Sequence, residues 1–185
     1  GVRGVGRGYR RCRRRRRRRV TAIHIADTGL FIAMGQPSNS QYQAVRTFAR
    51  RNDITFVLPE RVYDELTAEA DGVETPPIDT AIEQGWACVA APLDYSLGLV
   101  SRTMDGVQRY IANADERPAD EIERADPALA GVAAHAFVAG TADQAYIYTT
   151  DTLAGEGAVS ILASEGYDDS VTYVNGFRFI EDLLE

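Results

Sequence analysis

Short apolar runs alternate with longer stretches of helical periodicity along residues 21–185. The apolar, β-branched runs predict five strands: Thr21–Ala26, Ile54–Leu58, Trp86–Ala90, Tyr146–Thr149 and Val171–Val174. The intervening stretches predict helices at Tyr42–Arg51, Glu60–Ala70, Ile78–Gln84, Leu93–Asn113, Ala128–Ala139, Thr152–Glu165 and Phe177–Leu184. Strands separated by helices throughout predict an α/β fold with a mostly parallel central sheet and helices on both faces.

The chain of 185 residues is long enough for one domain with a sizeable core, which we assign to residues 21–185. Residues 1–20 are different: they contain eleven arginines, including the run Arg13–Arg19, and no acid. This tail has no apolar periodicity, so we predict that it is disordered. It is either an arm that grips phosphates or a segment that is not native to the protein, and we favour the second interpretation.

No apolar run is long enough to span a membrane, and the arginine run is not followed by the apolar stretch of a secretory signal. We therefore expect a cytoplasmic protein without a membrane partner. The two cysteines cannot form a structural zinc site.

The charge is divided unevenly between the tail and the body. Residues 21–185 carry nine arginines against 27 acids, a formal charge of −18, and the chain contains no lysine. The absence of lysine excludes a phosphate-binding P-loop and Schiff-base chemistry. Such an acidic body is typical of halophilic proteins, and concentrated salt would screen its repulsion of a nucleic acid. The negative charge therefore does not exclude RNA as a substrate.

Four acids are placed where they could meet at one edge of the predicted sheet. Asp27 and Asp151 follow the first and fourth predicted strands, Glu65 lies in the helix after the second strand, and Asp126 opens the alanine-rich helix. Ligands of parallel sheets bind beyond the carboxyl ends of the strands.

Carboxylates that lie close together repel each other and need a cation, and an all-oxygen set suits Mg²⁺ or Mn²⁺. Phosphodiester hydrolysis is the natural chemistry of such a site. Each acid alone is also explained as a helix cap or a solvated residue.

The chain resembles the PIN domain family, which includes the VapC-type toxins. The resemblance rests on four segments: Ile25–Phe31, Leu58–Leu66, Ala125–Ala133 and Tyr148–Asp151. It implies a three-layer α/β/α fold and a metal-dependent endoribonuclease, with Asp27, Glu65, Asp126 and Asp151 as catalytic and metal-binding residues. Thr150 is similar to the hydroxyl residue that precedes the last acid of the family and supports a ligand or water.

The resemblance leaves some assignments open. The acidic connector Asp115–Glu123 is a departure from compact family members, and Asp120, Glu121 or Glu123 could replace Asp126 as the third ligand. The PIN likeness implies RNA as substrate, and it raises an antitoxin protein and a second copy of the chain as partners.

Other functions were weighed against the nuclease. A noncatalytic α/β interaction protein that binds a polypeptide or RNA is the main alternative, and the four intact acids favour the enzyme. A metal-dependent phosphatase is disfavoured because no Asp-x-Asp pair follows the first strand. His24 and His135 lie in a predicted strand and an apolar helix, where packing explains them.

Overall fold

A computed structural model describes residues 21–68, 75–123 and 125–185. The predicted tail of residues 1–20 and the predicted end of the helix at Glu69 and Ala70 lie outside the described residues. Within these ranges, no helix combines the length and the apolar character that a membrane crossing needs.

Five parallel strands form a single sheet in the order β3-β2-β1-β4-β5. The strands are β1 (Ala22–Ala26), β2 (Phe56–Leu58), β3 (Ala87–Val89), β4 (Gln144–Thr149) and β5 (Val171–Asn175). The register pairs Ala26 of β1 with Tyr148 of β4, so the chain leaves both strands at the same level. The predicted parallel α/β fold is confirmed.

The helices of the described residues cover both faces of the sheet. They are α1 (Thr28–Met34), α2 (Ser40–Arg51), α3 (Glu60–Ala68), α4 (Pro77–Glu83), α5 (Gly98–Asp115), α6 (Ala125–Val138), α7 (Thr152–Leu162) and α8 (Gly176–Leu184). One core, which includes Ile25 and Ile147, lies under α5, α6 and α7. A second core, which includes Ala26 and Tyr148, lies under the other helices. Because successive strand residues point to opposite faces, each strand serves both cores.

The sequence analysis predicted no helix between the first strand and Tyr42, but the structure has one there. α1 starts at Thr28, directly after β1, and Asp27 caps it by accepting a hydrogen bond from the Leu30 N–H at 2.8 Å. The Asp-Thr-Gly sequence resembles a turn because Asp and Gly favour turns. Here the Asp satisfies the first helical donors instead.

The predicted helix Leu93–Asn113 begins later than expected. Asp94 accepts hydrogen bonds from the Ser96 N–H at 3.0 Å and from its hydroxyl at 2.6 Å, which closes a turn before α5 starts at Gly98. A short polar side chain that bonds the backbone ahead of it competes with the helix in this way.

Two further helices differ from their predicted boundaries. α6 begins at Ala125 rather than Ala128, so Pro127 lies in its first turn, where a missing N–H costs nothing. α7 begins at Thr152 as predicted but ends at Leu162 rather than Glu165, and it contains Gly155 and Gly157. At each glycine a Cβ would overlap an aromatic ring, that of Tyr173 or of Tyr110, so close packing explains both.

Candidate active site

Asp27 is the most buried of the four predicted acids, with 7% of its surface exposed. Its Oδ1 accepts the Leu30 N–H, and its Oδ2 accepts the Thr149 hydroxyl. Burial raises the pKa of Asp27, while these hydrogen bonds and one from the Thr150 N–H oppose the rise. The side chain is therefore held in one orientation at the end of β1.

Asp151 lies next to Asp27 because β4 pairs with β1. It caps α7 by accepting the Ala154 N–H at 3.1 Å, and its own N–H donates to Thr149 Oγ1 at 3.0 Å. Thr149 thus donates to one acid and accepts from the backbone of the other. The Asp151 side chain is exposed, so it is open to a ligand.

Glu65 reaches the same region from α3. It is exposed, and its Oε2 accepts a hydrogen bond from the Thr28 hydroxyl at 2.5 Å. Thr28 is the first residue of α1 and follows Asp27 in the chain. This bond ties the second acid to the segment that carries the first.

Asp126 lies in the first turn of α6 and is half-buried. Burial, followed by the negative charges of Asp151, Glu123, Asp27 and Glu65, raises the pKa of Asp126 to about 7. Asp27, Glu65 and Asp151 therefore lie within electrostatic reach of Asp126.

Among the alternative third ligands, Glu123 is the one whose charge acts on Asp126. Asp120 and Glu121 lie in a 3₁₀ turn, Ala119–Glu121, and are exposed. The choice between Asp126 and Glu123 as the third ligand stays a prediction.

The donor set fits a hard divalent cation, although the described side chains are not arranged as a closed site. No group of three or more His, Cys, Asp or Glu side chains within the described ranges is placed to hold a metal ion. The fit rests on chemistry, because the acids offer only oxygen donors. Burial and then the neighbouring negative charges raise the pKa of Asp126, and a bound cation would offset the repulsion between these charges. The assignment of Asp27, Glu65, Asp126 and Asp151 as metal ligands stays a prediction.

Sequence reasoning selected Thr150 and missed two other hydroxyl residues. The hydroxyls of Thr149 and Thr28 donate to Asp27 and Glu65, respectively. The Thr150 side chain lies over α1, where a Cβ on Gly29 would overlap its hydroxyl. The parallel register of β1 and β4 could have indicated Thr149, because it places that residue level with Asp27.

One comparison with known proteins gives a match over nearly all of the predicted domain. A family model described as the halobacterial PIN domain matches residues 20–185. No curated protein matches the chain.

Proposed function

This chain belongs to the halobacterial PIN domain family, and from that premise we propose that it is a metal-dependent endoribonuclease that hydrolyses RNA phosphodiester bonds. PIN domains are generally nucleases and generally use divalent metal ions. The cofactor we propose is Mg²⁺ or Mn²⁺, and the substrate is RNA.

The observation that carries the proposal is the meeting of acids from separate segments at one edge of the sheet. Thr149 donates to Asp27 and accepts from the Asp151 N–H, and the Thr28 hydroxyl donates to Glu65. The pKa of Asp126 is raised by burial first and then by its acidic neighbours. Charges from Asp27, Glu65 and Asp151 all act on this one carboxyl, although the four residues come from separate segments of the chain. A fold gains nothing in stability from gathering like charges, so the arrangement favours a binding role. When bound, the cation would neutralise the phosphate and supply a reactive water at neutral pH.

We assign the following roles to the residues of the site. Asp27, Glu65 and Asp126 would hold the cation, and Asp151 would bind it or orient the attacking water. Thr149 would keep Asp27 ionised by donating to Oδ2, since a hydrogen bond to the charged form favours that form. Thr28 would orient the Glu65 carboxylate by donating to its Oε2. These hydroxyls are positioning residues.

The experiment is cleavage of structured and unstructured RNA with Mg²⁺ or Mn²⁺, in KCl at about 2 M to screen the acidic body. We expect EDTA to abolish cleavage, and Asp27→Asn and Asp151→Asn each to lower the rate on the order of 100-fold or more. Asp105→Asn changes an exposed acid of α5 in the same way and should leave the rate unchanged. Variants of Asp27 and Asp151 that cut as fast as the wild type would refute the assigned site.

The proposal extends to the toxin of a toxin–antitoxin pair, with an antitoxin and a second copy of the chain as partners. Its support is the likeness to the VapC-type toxins within the family. Induced expression should then arrest growth, and a small protein encoded immediately upstream should restore growth when it is coexpressed. Growth arrest by Asp151→Asn as well would argue against a nuclease toxin and for a noncatalytic interaction protein.

A further inference from the structure

A groove lies between the start of α3, the segment 91–95 and α6. Its walls are largely apolar and include Pro59, Pro92 and Val132. It also contains Asp64, which precedes Glu65, and Ala128, which lies two residues beyond Asp126. The groove therefore shares its two helices, α3 and α6, with the proposed catalytic acids Glu65 and Asp126.

Tyr95 stands at the rim of this groove with 63% of its surface exposed. The turn that carries it is tied by the two hydrogen bonds from Ser96 to Asp94, and by a third from the Leu97 N–H to the Asp94 carbonyl at 3.2 Å. Leu93 packs so closely on α6 that a Cβ on Gly131 would lie 3.0 Å from it. An ordered turn thus presents the Tyr95 ring to solvent. Because a tyrosine side chain has only two χ angles, it loses little conformational entropy when a ligand binds to it.

Arg61 lies on the opposite wall, one helical turn before Glu65 in α3. Residues four apart share a face of a helix, so this guanidinium lies on the same face as a proposed catalytic acid. Arg61 is exposed and makes no ion pair with any residue that the structure describes. The other charged residues of the groove, Glu60 and Asp64, are acids.

This combination suits one unpaired nucleotide better than a run of phosphates. A phosphate track needs several cations, whereas the groove offers a single arginine among acids in a body of formal charge −18. Apolar walls and an exposed ring suit the face of a base, since every base can stack on an aromatic side chain. We propose that this groove binds an unpaired nucleotide of the RNA next to the scissile bond, with its base on Tyr95 and its phosphate at Arg61. The inference rests on the proposed ribonuclease function.

The first test is binding of a fluorescent single-stranded RNA of about eight nucleotides, measured by anisotropy with the cleavage-deficient Asp151→Asn protein. Adding Tyr95→Ala should weaken binding roughly 5- to 150-fold, and Tyr95→Phe should preserve it. Val138→Ala is the control for loss of an exposed apolar side chain, because Val138 is 46% exposed and ends α6, at the opposite end of the helix from Asp126. Equal binding by the Tyr95→Ala and Val138→Ala proteins would overturn the inference.

The dependence of RNA binding on salt concentration distinguishes the contact of Tyr95 from that of Arg61. Between about 0.2 M and about 2 M KCl, the effect of Tyr95→Ala should persist, because stacking is not screened, whereas the effect of Arg61→Gln should shrink. Arg50→Gln is the control for charge, because Arg50 lies in the last turn of α2, which leads to the other end of β2. An effect of Tyr95→Ala that vanishes with salt as that of Arg61→Gln does would contradict base stacking.

Kinetics distinguishes failure of this inference from failure of the proposed function. If the wild type cuts RNA, Tyr95→Ala should raise KM by the same factor with kcat little changed. Cleavage with an unchanged KM would overturn the nucleotide site and leave the ribonuclease in place. If no RNA is cut, the ribonuclease proposal fails, and the anisotropy comparison alone decides whether the groove binds nucleotides.

Discussion

Replacing Asp126 by asparagine is expected to stabilise the metal-free protein at neutral pH while it impairs the proposed activity. Burial and the neighbouring acids raise the pKa of Asp126 from 3.8 to about 7. The carboxyl holds its proton more tightly in the folded chain, so its contribution to stability is full below pH 3.8 and is lost as the pH rises through about 7. The amide of the Asp126→Asn protein would keep a neutral side chain of similar shape at every pH.

The magnitude follows from the size of the pKa change. A rise from 3.8 to about 7 corresponds to about 4 kcal/mol of unfolding free energy when the group ionises. Asp126 is half-buried, so solvent screening reduces this to about 2 kcal/mol. The amide also loses the attraction between a negative charge and the N-terminus of α6, about 0.5 kcal/mol. The net gain is about 1.5 kcal/mol, or a melting temperature higher by about 3 to 6 °C for a chain of this size.

The assay is denaturant unfolding in EDTA at about pH 5 and about pH 8, chosen on either side of the raised pKa. The stability advantage of Asp126→Asn should be clear at the higher pH and small at the lower. Added Mg²⁺ should stabilise the wild type more than the variant, because a ligand that binds only the folded state stabilises it in proportion to its occupancy. Glu121→Gln, an exposed acid nearby, should change the stability by less than about 0.5 kcal/mol. An Asp126→Asn protein that is less stable than the wild type at about pH 8 in EDTA would refute the electrostatic reasoning.

Three further substitutions test the contacts of the site by the same unfolding assay. Gly29→Ala should cost about 1 to 3 kcal/mol because the new methyl group meets the Thr150 hydroxyl, and combining it with Thr150→Ala should recover most of the loss. Thr149→Val should lower the unfolding free energy by about 1 to 3 kcal/mol. The loss should be larger at about pH 8 than at about pH 4, because the substitution removes a hydrogen bond that favours ionised Asp27. An equal loss at both pH values would contradict this reasoning. Asn175→Ala should cost about 1 kcal/mol because it removes the cap of α8, whereas Asn175→Asp should cost little.

The strands and their direction could be predicted because burial on both faces leaves a strong signal in the sequence. Runs such as Ile54–Leu58 are apolar at nearly every position, as expected for parallel strands covered on both sides. The helices between them exclude hairpins. Asp27 and Asp151 could be placed at one edge of the sheet for the same reason, since each directly follows such a run.

Boundaries that depend on side-chain contacts across the fold could not be predicted. A glycine is needed at position 155 within α7 because the Tyr173 ring of β5 occupies the space that a Cβ would fill. Thr149 supports Asp27 because β1 pairs with β4 at one register. Both relations join residues that are distant in the sequence, so local preferences of Gly for turns and of Thr for strands carry no information about them.

The structural and catalytic interpretations of Asp27 and Asp151 are not alternatives. An ionised carboxylate has two oxygens that together accept about four hydrogen bonds or ligands. Each of these acids uses its Oδ1 to cap a helix, α1 or α7. The caps orient the carboxylates, because a side chain bonded to a helix N-terminus loses its rotational freedom before any ligand arrives. A cap residue at the end of a parallel strand is therefore already oriented before a ligand binds to it. The preference of Asp for helix N-caps explains why the acids occur at these positions. This structural role is compatible with the proposed binding of a metal.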